Sequence, residues 1–505
     1  MSFELHAIFN KLVSSMMTHI DDVCIKDEVT EYYRYGMFSH NWEDNEPLFK
    51  QVVCMVVYEL EESPTHDKLK MFCKIVQDAG LQWAWSDTCC INPADHFIPE
   101  EALVAMLKWY QGSALTVVFL LDVLSPSRHG DLMRSMWNTW AWTFQESKVV
   151  RFYTKDWKLY MNLDIPNHKE SPEIISEIEE ATGVSAQALM AHQPGLDDIR
   201  EKLCLASTRR TTSVEDAAYS LLGIFSMSLP VVYGEGDLAL GRVLAQLLTS
   251  SGDTSILSWT GKSGRFNSCL PSNITVFKQL LPSHIPHVIA SITESRASWN
   301  FRVTKLVTEL YHRLDEFPVA SFSGHRLRLP CLTFKLGTVT ATWNAAERVF
   351  HAQTDAFGIV EVGTEEDLSL ISPLYLVHPW IDFLLGRQLV GSITETIPEE
   401  NTEYEDSSID EVHPSSLPDP PNMTSATRRK NTGPLPSVSQ KDKLIRTMTA
   451  RLEQPFGALL LAENPGEVVA YRRVAAETLI TVKLEKITST VLNKLVHSVR
   501  VLDVL

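Results

Sequence analysis

The sequence predicts an α/β protein: a doubly wound, mostly parallel sheet with a helical continuation, followed by a β-rich region and a disordered linker. Three observations carry this expectation. From Tyr32 to about Trp157 short β-like runs alternate with helical ones, as a parallel sheet covered by helices requires. Between 171 and 250 apolar residues recur at three- and four-residue spacing. After Trp259 the chain becomes strand-like and irregular. A chain of 505 residues is long enough for several domains of roughly 100–200 residues each.

A short N-terminal helical segment is expected over 1–30, and the α/β unit over 31–160. In that unit "YYRYGMFSH" reads as a strand, "HDKLKMFCKIVQDAG" as a helix, "LQWAWSDTCCI" as a strand and "PEEALVAMLKWYQGS" as a helix. "LTVVFLLDV" reads as the third strand; a tryptophan-rich helix and the strand "VVRFYTKDW" follow. The continuation, 161–255, holds four helical stretches, "SPEIISEIEEATG", "LDDIREKLCLAST", "SVEDAAYSLLGIF" and "LALGRVLAQLLTS". Thr212 with Glu215, and Ser213 with Asp216, have capping-box spacing, and Val214, Ala218, Leu221, Leu222 and Phe225 form the expected apolar face. The β-rich region runs over 256–395, with "RLRLPCLTFKLGTVTATW" its clearest strand. Residues 396–440 are crowded with Glu, Asp, Ser, Thr, Asn and Pro and cannot repay their ordering entropy, so a disordered acidic linker is expected there. Residues 441–505 return to strand patterning and are expected to pair back onto the β-rich region.

A composition 44% hydrophobic and 21% charged is that of a soluble globular protein, and the longest apolar runs, such as 114–124, fall short of the roughly 20 residues a membrane span needs. The amino terminus, with Glu4 early, reads as an amphipathic helix and not as a signal peptide, so a cytoplasmic location is expected. Eight scattered cysteines form neither a disulfide framework nor a spaced zinc site, and no metal is expected. A formal net charge of −18 opposes a phosphate backbone, which argues against nucleic acid as a partner.

Ligands bind doubly wound sheets at the carboxyl ends of the strands. Here the first strand ends at Ser39 and His40, the second runs into Ser86, Asp87 and Thr88, and the third ends at Asp122. One edge therefore collects hydroxyl, imidazole and carboxylate groups, with capping of the following loops as the alternative for Ser39, Thr88 and Asp122. Strand alternation places Asp87 and Cys89 on the face of Trp83 and Trp85, where Asp87 is a loop organiser or a site residue. The Cys89–Cys90 pair reads as buried thiol before it reads as a nucleophile. In "WNTWAWTFQES" helical spacing aligns Ser135, Thr139, Trp142 and Glu146 on one stripe, with a solvated or ion-paired glutamate as the plain alternative.

Five blocks in order, "YGMFSHNW", "WAWSDTCCIN", "MLKWYQGSALTVVFLLDV", "WAWTFQE" and "STRRTTSVEDAAYSLLGIFSMSLPVVYGEG", together resemble the fungal HET (heterokaryon incompatibility) domain over about the first half of the chain. The later "YRRVAAETLITVKL" and the closing "VRVLDVL" are similar to the tails of basidiomycete members. The resemblance implies a role in self/non-self recognition and programmed cell death, acting by self-association or with another incompatibility protein. It also implies a TIR-like, flavodoxin-like fold. Many TIR domains cleave NAD with a glutamate four residues after a tryptophan, a spacing that Trp142 and Glu146 share. On that footing Glu146 is the candidate catalytic residue and NAD the candidate substrate, with no bound cofactor. Trp142 would offer a stacking face, while Ser39, His40, Trp42 and Asp87 would shape the crevice. Nicotinamide would depart as an oxocarbenium-like centre develops beside the carboxylate.

The chain departs from the family at Trp140 and Ala141, where arginine and glycine are usual, and at Asn41, where arginine or threonine is usual. A lost cation at the rim bears on catalysis more than on fold. Arg209 and Arg210 have the chemistry to contact a phosphate, though pairing with Glu215 or Asp216 is the commoner outcome. The "YGEG" glycines read as turn residues opening a helix. The rival reading is a non-catalytic interaction module that signals by assembly, or a degenerate inactive copy.

Overall fold

The computed structural model describes residues 29–92, 105–139 except 107, 149–182, 194–278, 301–344, 347–354, 357–379, 448, 452, 455–464, 469–484 and 487–505. Nearly all of the expected N-terminal helical segment, the linker 396–440, and the stretch 140–148 with Trp142 and Glu146 lie outside the described residues.

The amino-terminal unit is an α/β layer built on four parallel strands: β1 (Tyr35–His40), β2 (Trp83–Trp85), β3 (Leu115–Leu120) and β4 (Val150–Thr154), in the order β2-β1-β3-β4. Every residue of β3 is buried, as a central strand covered on both faces must be. Helix α1 (Pro64–Asp78) starts where Ser63 Oγ accepts the His66 amide at 3.1 Å and Pro64 presets the first turn. It lays Leu69, Phe72 and Val76 on Phe38, Leu115, Val117 and Phe119. Gly36 permits that approach, since a Cβ there would fall 2.5 Å from Val76 Cγ2. The opposite face of the sheet packs Val118, Leu120, Val150 and Phe152 against Leu132, Trp137, Tyr160 and Ile174, the last from α2 (Pro172–Thr182).

Helices α3 (Ile199–Ser207), α4 (Asp216–Ile224) and α5 (Leu238–Ser251) follow, then α6 (Phe301–Asp315) and a β-rich region. In that region β5 (Ser321–Ser323) pairs with the long β6 (Arg326–Asn344), and β7 (Glu347–Thr354) and β8 (Gly358–Gly363) extend the far end of β6. The others are β9 (Leu374–Pro379), β10 (Phe456–Asn464), β11 (Ala470–Val474), β12 (Ile480–Val482) and, after α7 (Ser489–Ser498), β13 (Val499–Val504). Pairings run in a closed circuit, β6 to β9 to β10 to β11 to β13 and back to β6, so the sheet is barrel-like. Alternate residues of these strands feed two cores. Leu327, Leu329, Val377, Leu459 and Leu461 pack with α3, α4 and α5, whereas Leu332, Phe334, Leu376 and Leu460 pack with α6 and α7. The helical continuation therefore shares its core with the barrel.

Three local expectations need correction. The second strand ends at Trp85 and the chain turns into a short helix, Asp87–Cys90, so the two-residue alternation stops before Asp87. The capping box is not formed: α4 begins at Asp216 without a side-chain cap bond, and Val214 precedes it with 67% of its surface exposed. No continuous helix runs through Ser135, which is extended (φ −62°, ψ 139°) between the Asp131–Arg134 and Met136–Thr139 turns.

Candidate functional site

The order β2-β1-β3-β4 reverses between β1 and β3, the point at whose carboxyl edge doubly wound sheets bind ligands. Pleating splits the expected residues between the two faces of the sheet. Ser39 points to the Trp137 side and His40 to the α1 side, because neighbouring residues of a strand alternate.

On the Ser39 side, Ser39 Oγ accepts the Trp137 indole N–H at 2.9 Å. Asp122, just past β3, accepts the Ser135 hydroxyl at 2.6 Å and the Met136 amide at 2.7 Å. This carboxylate thereby starts the Met136–Thr139 turn and interrupts the expected helix at Ser135. Asp122, Val123, Leu124, Asp131, Arg134 and Ser135 line a cleft of about 300 Å³, a size suited to part of a nucleotide. Arg134 is bonded to Asp131 at 2.7 Å across its wall. The Asp131–Arg134 turn is held from below: Tyr160 Oη accepts the Leu132 amide at 3.0 Å and lies 2.9 Å from both oxygens of the wholly buried Glu177.

On the α1 side, the buried Lys68 ammonium reaches the Glu43 carboxylate at 2.9 Å, the Asn41 carbonyl at 3.3 Å and the Glu46 carboxylate at close range. It ties down the segment that leaves β1. The His40 ring stacks on Phe38 at 4.2 Å, and its Nε2 is 3.7 Å from Glu46, too far for a hydrogen bond. Both ring nitrogens of His40 and the Asn41 side-chain nitrogen are buried without a hydrogen-bond partner among the described residues. Burial first, and the Lys68 charge second, push the His40 pKa well below its ordinary value, so this imidazole is neutral. Trp42 is 64% exposed, and its indole N–H donates to Asp87 Oδ2 at 2.9 Å, while Asp87 Oδ1 accepts the Thr88 amide at 2.8 Å. Asp87 thus organises the loop after β2 and fastens an exposed aromatic plate beside the crevice. Burial pushes its carboxyl up to about 6 against the opposing pull of these two bonds.

The geometry brings Trp42, Asp87 and His40 together on one face and Ser39 with Asp122 on the other; Glu146 and Trp142 lie outside the described residues. Sequence reasoning missed Lys68 and Glu46. One signal was available: Lys68 falls on the apolar stripe of α1 beside Leu69 and four residues before Phe72, where a lysine must be paired to be buried.

The "YGEG" turn is also part of a built network. Glu215 Oε1 accepts the amides of Gly234 and Gly236, each at 2.9 Å, and Oε2 accepts the Ser213 hydroxyl at 2.5 Å. Those bonds, the Ser213 hydroxyl foremost, hold the Glu215 pKa down to about 2. Gly234 and Gly236 have φ of +93° and +64°, the left-handed region glycine favours, and turn their amides onto one anion. Asp216 accepts the Tyr233 hydroxyl at 2.8 Å, so both Glu215 and Asp216 bond to this turn. The Arg210 amide donates to the Thr139 carbonyl at 2.6 Å, which sets the segment before α4 against the end of the Met136–Thr139 turn.

The chain is 28% identical over 223 residues to vegetative incompatibility protein HET-E-1 of Podospora anserina, a match covering 41% of this chain and 16% of that protein. This is a distant, partial homology to a fungal incompatibility protein, and the matched part spans about a sixth of the relative's length. No family model and no solved structure matches the chain. Among the described residues no helix is long and apolar enough to cross a membrane, and no group of three or more His, Cys, Asp or Glu side chains is placed to hold a metal ion.

Proposed function

We propose that this chain is a heterokaryon-incompatibility effector whose α/β unit cleaves NAD between nicotinamide and ribose when copies associate. The observation that carries the reading is the cleft past the carboxyl end of β3, lined by Asp122, Asp131, Arg134 and Ser135. The Met136–Thr139 turn follows Ser135, and Trp142 and Glu146 come next in the sequence. The similarity to an incompatibility protein supports the biological setting. In this reading the Glu146 carboxylate stabilises the developing oxocarbenium centre, and Trp42 or Trp142 offers a face to a departing planar ring. Ser39, His40 and Asp87 shape the walls.

The test is nicotinamide release from NAD by the purified full chain, with and without a crowding agent, beside Glu146→Ala. Release that drops by about 100-fold in the variant supports the proposal. Equal release by both proteins, or none in any condition, sinks it.

A second reading, signalling by assembly alone, draws on a different feature. Trp42, Leu48, Val53, Met55, Val56 and Tyr58, all in the connection from β1 to α1, expose between 48% and 64% of their surface. Val53→Asp with Val56→Asp would abolish incompatibility signalling under that reading, whereas Glu146→Ala would spare it.

A further inference from the structure

Strand β4 is an edge of the parallel sheet, paired with β3 on one side. The alternation of a strand puts the amides of Val150, Phe152 and Thr154 on its other side, where an open edge would offer them to another strand. Each of the three has an acceptor, and two of those acceptors are side chains. The Val150 amide donates to Asn167 Oδ1 at 3.1 Å, the Phe152 amide to His168 Nδ1 at 3.0 Å, and the Thr154 amide to the Lys158 carbonyl at 2.8 Å. Asn167 and His168 therefore stand in for a fifth strand.

The bonds of His168 define its protonation. A ring nitrogen that accepts an amide carries no proton, so the one proton of the neutral imidazole is on Nε2, which faces the Leu163 carbonyl at 2.9 Å. The side chain is wholly buried, with its ring near-parallel to that of Phe152 at 6.0 Å. A second proton, on Nδ1, would set one N–H against another. Among the acceptors that close this edge, the Asn167 amide oxygen and the Lys158 carbonyl hold no proton near neutral pH, and the imidazole alone can be lost to one.

His168 also begins the turn that leads into α2. Its carbonyl accepts the Ser171 amide at 3.1 Å, and the Ser171 carbonyl accepts the Ile175 amide at 3.0 Å. Helix α2 carries Glu177, which takes the Tyr160 hydroxyl that steadies the Asp131–Arg134 wall of the cleft. The latched edge is thus one helix away from the candidate site.

We propose that His168 is an acid-operated latch: a proton on Nδ1 expels the ring and frees the outer edge of β4 together with the start of α2. The charged groups around the ring are Arg151 on β4 and Asp164 in the connection after it, which pair with each other at 2.7 Å. On its own turn Glu170 accepts the Asn167 side-chain amide, and from α2 the Glu177 carboxylate is taken up by Tyr160. Burial, with the Arg151 charge behind it, holds the ring below the ordinary imidazole range against the pull of the Leu163 carbonyl and Asp164. The sign follows. A folded-state value below the unfolded one means that the latch is complete above about 6.5 and weakens as pH falls below it.

The experiment measures hydrogen–deuterium exchange of the Phe152 amide in the full chain from pH 7.5 to pH 5.5, as protection relative to the unstructured rate at each pH. A ring that titrates normally once released should cost Phe152 about tenfold of its protection over that interval. His168→Asn keeps an acceptor at the Nδ1 position and cannot take a proton, so its protection should stay flat. In the wild type alone, imidazole nitrogen shifts should report the Nε2–H tautomer at pH 7.5, and Nδ1 should gain its proton over the interval in which Phe152 loses protection. That second measurement decides the matter even where the variant does not fold. Protection that is unchanged down to pH 5.5, that falls equally in His168→Asn, or that persists while the ring is doubly protonated overturns the proposal.

Discussion

Two buried bases mark the difference between the two halves of this molecule. Arg473, in β11 of the barrel, is 5% exposed, yet its guanidinium donates to the carbonyls of Leu257 at 2.7 Å and Trp259 at 2.6 Å and lies 3.8 Å above the Trp259 ring. His40, at the end of β1, has a side chain only 1% exposed and, among the described residues, no hydrogen-bond partner on either ring nitrogen. Of the buried side-chain atoms without partners, three sit on His40 and Asn41 and none lies after residue 300, among the described residues. Proteins satisfy buried polar groups almost everywhere, so a local excess of unsatisfied ones needs a reason. The barrel half looks optimised for holding together. The carboxyl edge of the α/β sheet keeps polar groups that stability alone would remove.

The largest effect should come from the barrel side. Arg473→Ala strands two buried carbonyls and opens a cavity between α5's following turn and β11, so a loss of about 3 kcal/mol is expected, read as a lower urea midpoint of the full chain. A loss below about 1 kcal/mol would mean that Arg473 does not join the helices to the barrel, and the contrast with His40 would collapse.

Glu215→Ala comes next. It leaves the Gly234 and Gly236 amides without their acceptor, at a cost of about 2 kcal/mol. The pH dependence has a definite sign. The folded-state pKa of Glu215 is depressed to about 2, so its contribution is complete above the ordinary glutamate range and is lost as pH falls from about 4.5 toward 2. Thermal unfolding of the wild type should therefore drop more steeply over that interval than that of Glu215→Ala.

His40→Leu should act in the opposite direction to Arg473→Ala. Replacing an unsatisfied buried imidazole by a hydrocarbon beside Phe38 and Phe72 should raise stability by about 1 kcal/mol. Destabilisation would show that the imidazole is satisfied in solution, through Glu46, and that the edge is no different from the barrel.

How much of this was legible in the sequence follows the same division. The alternation from Tyr32 to Trp157 and the fully apolar "LTVVFL" were enough for a parallel α/β sheet, because a central strand has no other way to be buried. The β-rich half was legible as strands, but its closed circuit was not, since β6 pairs with β13 across more than 150 residues and no local signal encodes that. At the site, the chain positions of Ser39, His40, Asp87 and Asp122 at strand ends were readable. Their distribution over two faces required the pleat, and the breaks at Trp85 and Ser135 depend on Asp87 and Asp122 capturing nearby backbone, which outcompetes local periodicity.

Asp87 gives the smallest effect and the sharpest discrimination. Its folded-state pKa is raised to about 6, above the ordinary aspartate value, so the folded state binds the proton more tightly than the unfolded one. Stability from this group is therefore fully present below about 4 and declines as pH rises through 6, the reverse of Glu215. Asp87→Asn keeps an oxygen to accept the Trp42 indole N–H and removes the charge. It should flatten the stability profile between pH 4 and 6 and leave the protein more stable at pH 7 by about 1 kcal/mol, after allowance for solvent around a half-buried group. A variant that unfolds more easily at every pH would instead make Asp87 a purely structural clasp for Trp42. A flattened profile with raised stability would place Asp87 beside His40, as a group retained at the carboxyl edge against the interests of stability.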